Sequence, residues 1–338
     1  MRPPEFWKAK DQIESRDAAV VLRALLTPVS WAYAAIAAHR ARTTISRHAP
    51  VPVICIGNFT VGGAGKTPIS RAIRAKLGPH AHTLSRGYGG RALGPLRVTS
   101  DMEAAEVGDE PLLHAADGAA WVARDRYAGA LAAAQAGAHV IIMDDGFQNP
   151  ALGKDLSIVA VDPAYGVGNG QVFPAGPLRE RLADGLARAD AIVMLHNTWS
   201  ADTPDHPEWL TGFRKPVLHA SISPTGEAPK GKLIAFAGLA RPEKFFDTLE
   251  AVGADITDVV PFGDHHLFTE DDMRLLTQMA EEHGAQLITT EKDAARLSPD
   301  WRARVAVLPV AARFADEAAL DALLAPVQSR ITAAHGEA

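Results

Sequence analysis

A single cysteine among 338 residues excludes any disulfide within the chain, as fits a reducing compartment. That residue, Cys55, sits inside an apolar run. Basic residues are not in excess: 34 Lys and Arg stand against 40 Asp and Glu, a net charge of −6. The chain as a whole therefore lacks the electrostatic footprint of a nucleic-acid binder. There is no internal repeat and no low-complexity tract beyond alanine enrichment, which excludes repeat architectures. No secretory signal is expected, because acidic residues precede the first apolar stretch and no clear cleavage site follows it. That stretch, Ala18 to Ala38, carries Arg23 and Pro28 and so reads as a poor spanning segment. Hydrophobic content of 47% and charged content of 22% are those of a soluble globular protein. The length allows two domains.

The stretch from Val53 to Thr67 organises the chain. Residues 53–56 are apolar and rich in β-branched side chains, so they read as a buried strand. Gly62, Gly63 and Gly65 follow, where the chain must turn tightly and bring its backbone near a ligand. Lys66, Thr67 and Pro68 open a segment of helical spacing. Strand, glycine loop, Lys-Thr and helix form a phosphate-binding loop over Thr60, Val61, Gly62, Gly63, Ala64, Gly65, Lys66 and Thr67. Backbone N–H groups and the positive helix end cradle phosphates, Lys66 reaches the outer ones, and Thr67 can hold Mg²⁺. The pattern asks for glycine at the first of these positions, and Thr60 stands there. The competing reading is a glycine-rich turn that binds nothing.

Further along, Val140 to Met143 is a second apolar strand, ending in Asp144 and Asp145. Such a strand end suits the Mg²⁺ of a nucleotide, directly or through water. Three polar loops also stand near strand ends: Ser85 to Gly90, Glu106 to Pro111, and Pro261 to Phe268. The last contains Asp264, His265 and His266, which read as a metal site, an acid–base pair or a surface turn. The segment 166–182 is loop-like, rich in Gly and Pro, and basic at its end.

Residues 1–50 carry eight Lys and Arg against four Asp and Glu. An apolar helix with aromatic anchors and this basic flank fits lying in a membrane interface, and equally fits packing on the core. Strands alternating with helices in both halves predict an α/β protein of two α/β units with mainly parallel sheets, the first carrying the P-loop. The expected divisions are a membrane-associating helical segment 1–48, a P-loop domain 49–215, and a smaller α/β domain 216–330. Residues 198–216 read as the connection, strands at 217–222 and 305–309 as parts of the second domain, and Thr269 to Asp272 as a helix-capping start.

The ordered motifs at 57–68, 84–88, 108–111, 144–148, 177–180, 236–242, 264–266 and 290–293 resemble the tetraacyldisaccharide 4′-kinase family, the lipid A disaccharide kinases of Gram-negative envelope biogenesis. The resemblance runs from about Trp31 to Leu308. It implies transfer of the ATP γ-phosphoryl group to the 4′-hydroxyl of a tetraacylated glucosamine disaccharide 1-phosphate, with Mg²⁺. It also implies a membrane-associated enzyme of two α/β/α sandwich domains, the first a P-loop nucleotide-binding domain, with a linker between them and the active site in the cleft. Asp109 and His265 would act as the pair that activates the sugar hydroxyl, and Lys66 would neutralise phosphate charge. Thr67, Asp144 and Asp145 would serve the metal, and Ser85, Arg126 and Arg179 would stand near substrate or phosphate. The partners implied are the lipid A disaccharide precursor and the cytoplasmic leaflet of the inner membrane, with peripheral or monotopic attachment. No obligate protein partner is implied. Two positions depart from the family pattern, Asn149 after Phe-Gln and Arg181 after Leu-Arg-Glu. The alternative from another class is a membrane-switching ATPase with a deviant Walker loop. It needs a lysine where this chain has Val61.

Overall fold

The structure, a computed structural model, describes residues 4–8, 16–63, 65–196 and 207–335. The first helix, α1 (Arg16–Thr43), runs through Pro28 without ending. One line of it is buried, at Ala19, Ser30 and Ala34. There Ser30 Oγ accepts the Ala175 N–H at 2.9 Å, and Tyr33 meets Phe173 edge to face. The opposite line is open, with Leu25 70% and Ile36 61% exposed. These two are about three turns apart and so share a face. By length and composition Ala19–Thr43 is apolar enough to cross a membrane, with mean hydropathy 1.5. Arg23 interrupts it less than expected, because its guanidinium turns back to donate to the Phe6 carbonyl at 2.8 Å.

The body begins with β1 (Val53–Gly57) and α2 (Lys66–Leu77). In chain order come β2 (Ala81–Ser85), β3 (Leu96–Val98), α3 (Ala104–Val107), α4 (Asp109–Asp117), β4 (Ala120–Val122) and α5 (Arg126–Gln135). Then follow β5 (Val140–Asp144), β6 (Leu156–Val161), α6 (Leu182–Arg188), β7 (Ala191–His196) and β8 (Val217–Pro224). A second unit is formed by β9 (Lys232–Ala237), α7 (Glu243–Ala251), β10 (Asp255–Pro261), α8 (Glu270–His283), β11 (Gln286–Thr290), α9 (Glu291–Ala294), α10 (Pro299–Arg302) and β12 (Ala306–Leu308). The chain then returns to the first unit as β13 (Val310–Phe314) and α11 (Glu317–His335).

Among the described residues there are two sheets, a nine-stranded one ordered β13-β8-β7-β6-β1-β5-β2-β4-β3 and a four-stranded one ordered β10-β9-β11-β12. The second is parallel throughout. The first is parallel except at its two edges, where β3 and β13 run antiparallel. β1 is apolar at every position because helices cover both faces of its sheet. Alternation sends Val53 and Cys55 to one face with Ile141, Met143 and Phe147. Ile54 and Ile56 go to the other, with Ile69 and Ile73 of α2 and Leu320 and Leu324 of α11. Burial pushes the Cys55 thiol up to about 12, so it behaves as a small apolar core residue. In the second unit Leu233 and Ala235 face Phe245 and Leu249 of α7. Ile234 and Phe236 face Met273 and Leu276 of α8. The capping box at Thr269 and Asp272 is formed.

Two expectations are corrected. The boundary at 215/216 does not divide the sheets. β8 pairs with β7 and β13 pairs with β8, so both belong to the first unit, as does α11. The crossings between units lie at about 225–231 and at Pro309. Leu210, expected in the connection, is buried in the core of the first unit; residues 197–206 lie outside the described residues. The loop-like segment 166–182 ends where α6 begins, at Leu182. The misplaced boundary has a physical cause. Edge-strand pairing joins residues far apart in sequence, and alternation alone does not report it.

Candidate active site

β1 lies next to β5 and β6, and chain direction puts the loops after β1, β2 and β5 at one edge of the sheet. That is where ligands lie in parallel α/β sheets. Gly57 ends β1 under Phe147, and a Cβ at Gly57 would stand 2.2 Å from Phe147 Cβ. Only glycine lets the two loops approach this closely. Gly65, with φ 72°, turns the chain into α2 in the left-handed region that favours glycine. The outer arm of the loop is committed elsewhere. Val61 donates its N–H to the Pro177 carbonyl at 2.8 Å, and the Thr60 carbonyl accepts from Arg179 Nε at 3.0 Å. Thr60 and Val61 thus shape the loop that carries Gly62, Gly63 and Gly65. Ala64 lies outside the described residues.

The two aspartates that end β5 separate into different roles. Asp144 Oδ2 accepts from Thr67 Oγ1 at 3.2 Å and lies 2.8 Å from His114 Nε2. Its Oδ1 is buried and has no hydrogen-bond partner among the described residues. Asp145 takes a positive φ of 52°, and its carboxylate turns to cations instead. Lys66 Nζ is 3.6 Å away, and Arg179 donates through Nη1 at 2.8 Å and Nη2 at 3.3 Å. Burial raises the Asp145 carboxyl, but the charges of Lys66 and Arg179 outweigh it and hold the group below the ordinary carboxylate range. Of the two, Asp144 stands with Thr67. Arg179, expected near substrate or phosphate, joins Lys66 and Asp145.

Ser85 ends β2 and Arg126 opens α5. Both are buried, and Ser85 Oγ and Arg126 Nε have no partner among the described residues. Arg126 donates through Nη1 to the Ala123 carbonyl. Burial, with Arg86 nearby, pushes its guanidinium down to about 10.

Asp109 is the first residue of α4 and is 5% exposed. His265 comes from the second unit, in the left-handed region at φ 56°, where a non-glycine residue is strained. The structure brings the two together, with His265 Nδ1 3.3 Å from Asp109 Oδ2. Tyr88 packs edge to face on the imidazole, 5.6 Å between centroids. A residue not anticipated from the sequence completes this group. Arg296, just beyond α9, donates to Asp109 Oδ2 through Nε at 2.8 Å and also through Nη2. It is braced by the Gly238 carbonyl at 3.0 Å and Asp293 Oδ1 at 2.8 Å. The only hint was its place three residues past the 290–293 motif, one helical turn from Asp293. Burial raises the Asp109 carboxyl, but the hydrogen bond from His265 and the charges of Lys292 and Arg296 hold it well below the usual range. His266 points elsewhere. Its Nε2 lies 2.9 Å from Asp272 Oδ2 and its ring stacks on Phe262. The two positions that depart from the family pattern are structural. Asn149 Oδ1 accepts the Ala151 N–H at 2.9 Å in a local turn, and Arg181 precedes α6.

Comparison with known proteins gives one answer. The family model described as tetraacyldisaccharide-1-P 4′-kinase matches residues 22–328. A tetraacyldisaccharide 4′-kinase of Hyphomonas neptunium is 47% identical over 98% of this chain and 99% of its own length. One from Phenylobacterium zucineum is 50% identical over 95% of this chain and 98% of its own. The crystal structure of LpxK from Aquifex aeolicus in complex with ATP superposes with a TM-score of 0.73 at 29% identity. It covers 90% of this chain and 99% of its own. With a model match over most of its length and relatives near half identity, the chain belongs to the tetraacyldisaccharide-1-P 4′-kinase family.

Proposed function

We propose that the protein transfers the γ-phosphoryl group of ATP to the 4′-hydroxyl of tetraacyldisaccharide 1-phosphate, with His265 as the base that takes the hydroxyl proton. The observation that carries the reading is that helix α4 links two groups, through His114 at Asp144 and through Asp109 at His265. One is a phosphate loop with its lysine and aspartates. The other is an aspartate–histidine pair assembled from both units.

The donor set fits Mg²⁺. It offers hard oxygen ligands, and one of them, Asp144 Oδ1, is buried and unpartnered among the described residues. No cluster of three or more His, Cys, Asp or Glu is found there. That also suits Mg²⁺, which is held by one or two carboxylates plus substrate phosphates. Thr67 and Asp144 would hold the ion, and it would neutralise charge on the nucleotide phosphates. Lys66 and the loop amides supply positive charge on the protein side. Asp109 stays ionised and is too weak a base for this work. It would serve as the anchor. With Nδ1–H directed at its Oδ2, 3.3 Å away, and not with Nδ1 accepting from Arg296 Nη2 at 3.2 Å, Nε2 is left to take the hydroxyl proton and the carboxylate stabilises the imidazolium. Arg296 touches both members of the pair, donating through Nε and Nη2 to the Asp109 carboxylate with Nη2 3.2 Å from His265 Nδ1, while its Nη1 goes to the Gly238 carbonyl and Asp293. Ser85 Oγ and Arg126 Nε, buried and without a partner among the described residues, would receive substrate oxygens.

The exposed apolar line of α1 supports attachment to the cytoplasmic leaflet of the inner membrane, where a four-chain lipid meets ATP. The test is incubation with ATP, Mg²⁺ and the disaccharide 1-phosphate in mixed micelles, followed by mass spectrometry. A gain of one phosphate at the 4′ position is expected. ATP hydrolysis without phosphorylated lipid would overturn the reading in favour of an ATPase.

A further inference from the structure

The inner face of α4 carries a side chain that packing does not explain. Pro111 and His114 lie three residues apart on that face and are both buried. His114 is fully inaccessible. Its Nε2 meets Asp144 Oδ2 at 2.8 Å, while its Nδ1 has no partner among the described residues. A core position filled by a half-satisfied imidazole costs stability that an apolar residue of similar size would avoid. The contact with Asp144 is what the histidine adds.

We infer that His114 is a positioning residue for the metal carboxylate, one that fixes Asp144 so that Oδ1 is presented to Mg²⁺. This rests on the reading of Asp144 as a metal ligand given above. Asp144 accepts, so Nε2 carries the hydrogen and donates it to Oδ2. Thr67 Oγ1 lies 3.2 Å from the same oxygen. Two contacts on one oxygen hold the carboxylate against rotation and leave Oδ1 as its free edge. His114 is itself held from the phosphate-loop helix. Arg74 of α2 donates to the His114 carbonyl at 3.0 Å and to the Ala81 carbonyl at 2.9 Å. Asp109 begins the same helix, about 7.5 Å along its axis from His114 at the standard rise. One short helix therefore sets both the metal carboxylate and the anchor of the base. Partners that hold a metal-binding side chain from behind typically contribute 10–100-fold to metal affinity.

The test is calorimetric titration of ATP into the full chain over a range of Mg²⁺ concentrations, with Mg²⁺-free ATP as reference. His114→Leu is expected to raise the Mg²⁺ concentration that half-saturates the tightening of ATP binding by about 10–100-fold. Affinity for metal-free ATP should be unchanged. His114→Gln, whose side-chain N–H can still reach Asp144, is expected to restore most of the loss. An unchanged Mg²⁺ requirement in His114→Leu overturns the inference. So does an equal loss for metal-free ATP, or a Gln variant that behaves like Leu. If the Leu variant does not fold, His114→Asn, too short to reach Asp144, takes its place against Gln. Asp144→Asn separates the two levels. If it removes the Mg²⁺ effect while the His114 variants keep it, only the role of His114 falls. If it too leaves the Mg²⁺ effect intact, Asp144 is not a ligand, and both fall.

Discussion

Asp109 faces His265, Lys292 and Arg296 at once, and its motif alone specifies none of these neighbours. If Asp109 and His265 act as a unit, Asp109→Ala and His265→Ala should each lower turnover by about 10²–10⁴-fold. The double variant should lose little more than the worse single one. Steady-state kinetics with a constant ATP affinity checks this, and additive losses would mean separate roles. His266→Ala should be far milder, because that side chain serves the cap of α8. Lys66→Ala should reduce turnover by about 10²–10³-fold, the usual effect of removing one preorganised charge donor. A variant keeping a third of the activity would exclude the lysine from phosphate contact. Of the two residues that the motifs missed, Arg296 lies just past a recognisable motif. His114 is an ordinary helix position until Asp144 is seen behind it.

At the scale of elements, α1 and α11 make opposite points. α1 docks along Ala19, Ser30 and Ala34 and leaves Leu25 and Ile36 open. Leu25→Glu combined with Ile36→Glu should therefore leave the melting temperature nearly unchanged. The same pair should weaken sedimentation with anionic liposomes, since interfacial binding scales with buried apolar area. Equal pelleting of variant and parent would mean that this face does not meet lipid. α11 is at the far end of the chain from the phosphate loop, yet Leu320 and Leu324 share a core with Ile54, Ile56 and Ile69. Leu324→Ala should cost about 2–5 kcal/mol, the range for a large-to-small change in a sealed core. Urea unfolding followed at the nucleotide-binding unit would show it. A loss confined to the second unit would contradict the observed pairing. The capping box at Thr269 and the β1–loop–α2 unit were legible in advance because their contacts are local.

Across the whole molecule the two units meet through charge. Arg71 reaches Glu291 at 3.0 Å, Lys292 reaches Glu110 at 3.2 Å, and Arg296 holds Asp109. On another side Arg241 and Lys244 converge on Asp162. Such a polar interface lets the units move relative to one another. His82 shows how pH acts on the first unit. It is 6% exposed, its Nδ1 accepts from Trp121 Nε1 at 3.3 Å, and burial, with Arg97 and Arg74 nearby, pushes it down to about 4. The unfolded chain takes up this proton near the ordinary value of about 6.5. Between about pH 6.5 and 4 the unfolded state therefore binds more protons, and stability must fall as pH falls through that window. The contribution is on the order of 3 kcal/mol. Chemical denaturation of wild type and His82→Gln from pH 4 to 8 should show a steeper decline in the wild type; parallel curves would assign the acid sensitivity elsewhere. By itself the sequence determined the strand, glycine loop and helix of the first motif and the parallel α/β character. Each of those rests on local spacing, on strand alternation and on glycine where the backbone must turn. Only the tertiary structure decided that β8, β13 and α11 return to the first sheet. It also decided that Asp145 turns to Lys66 and Arg179 while Asp144 meets Thr67 and His114, and that Arg296 closes on Asp109. Those pairings join residues up to 187 positions apart, and they are chosen by which buried charges and strand edges can satisfy one another, which no local pattern encodes.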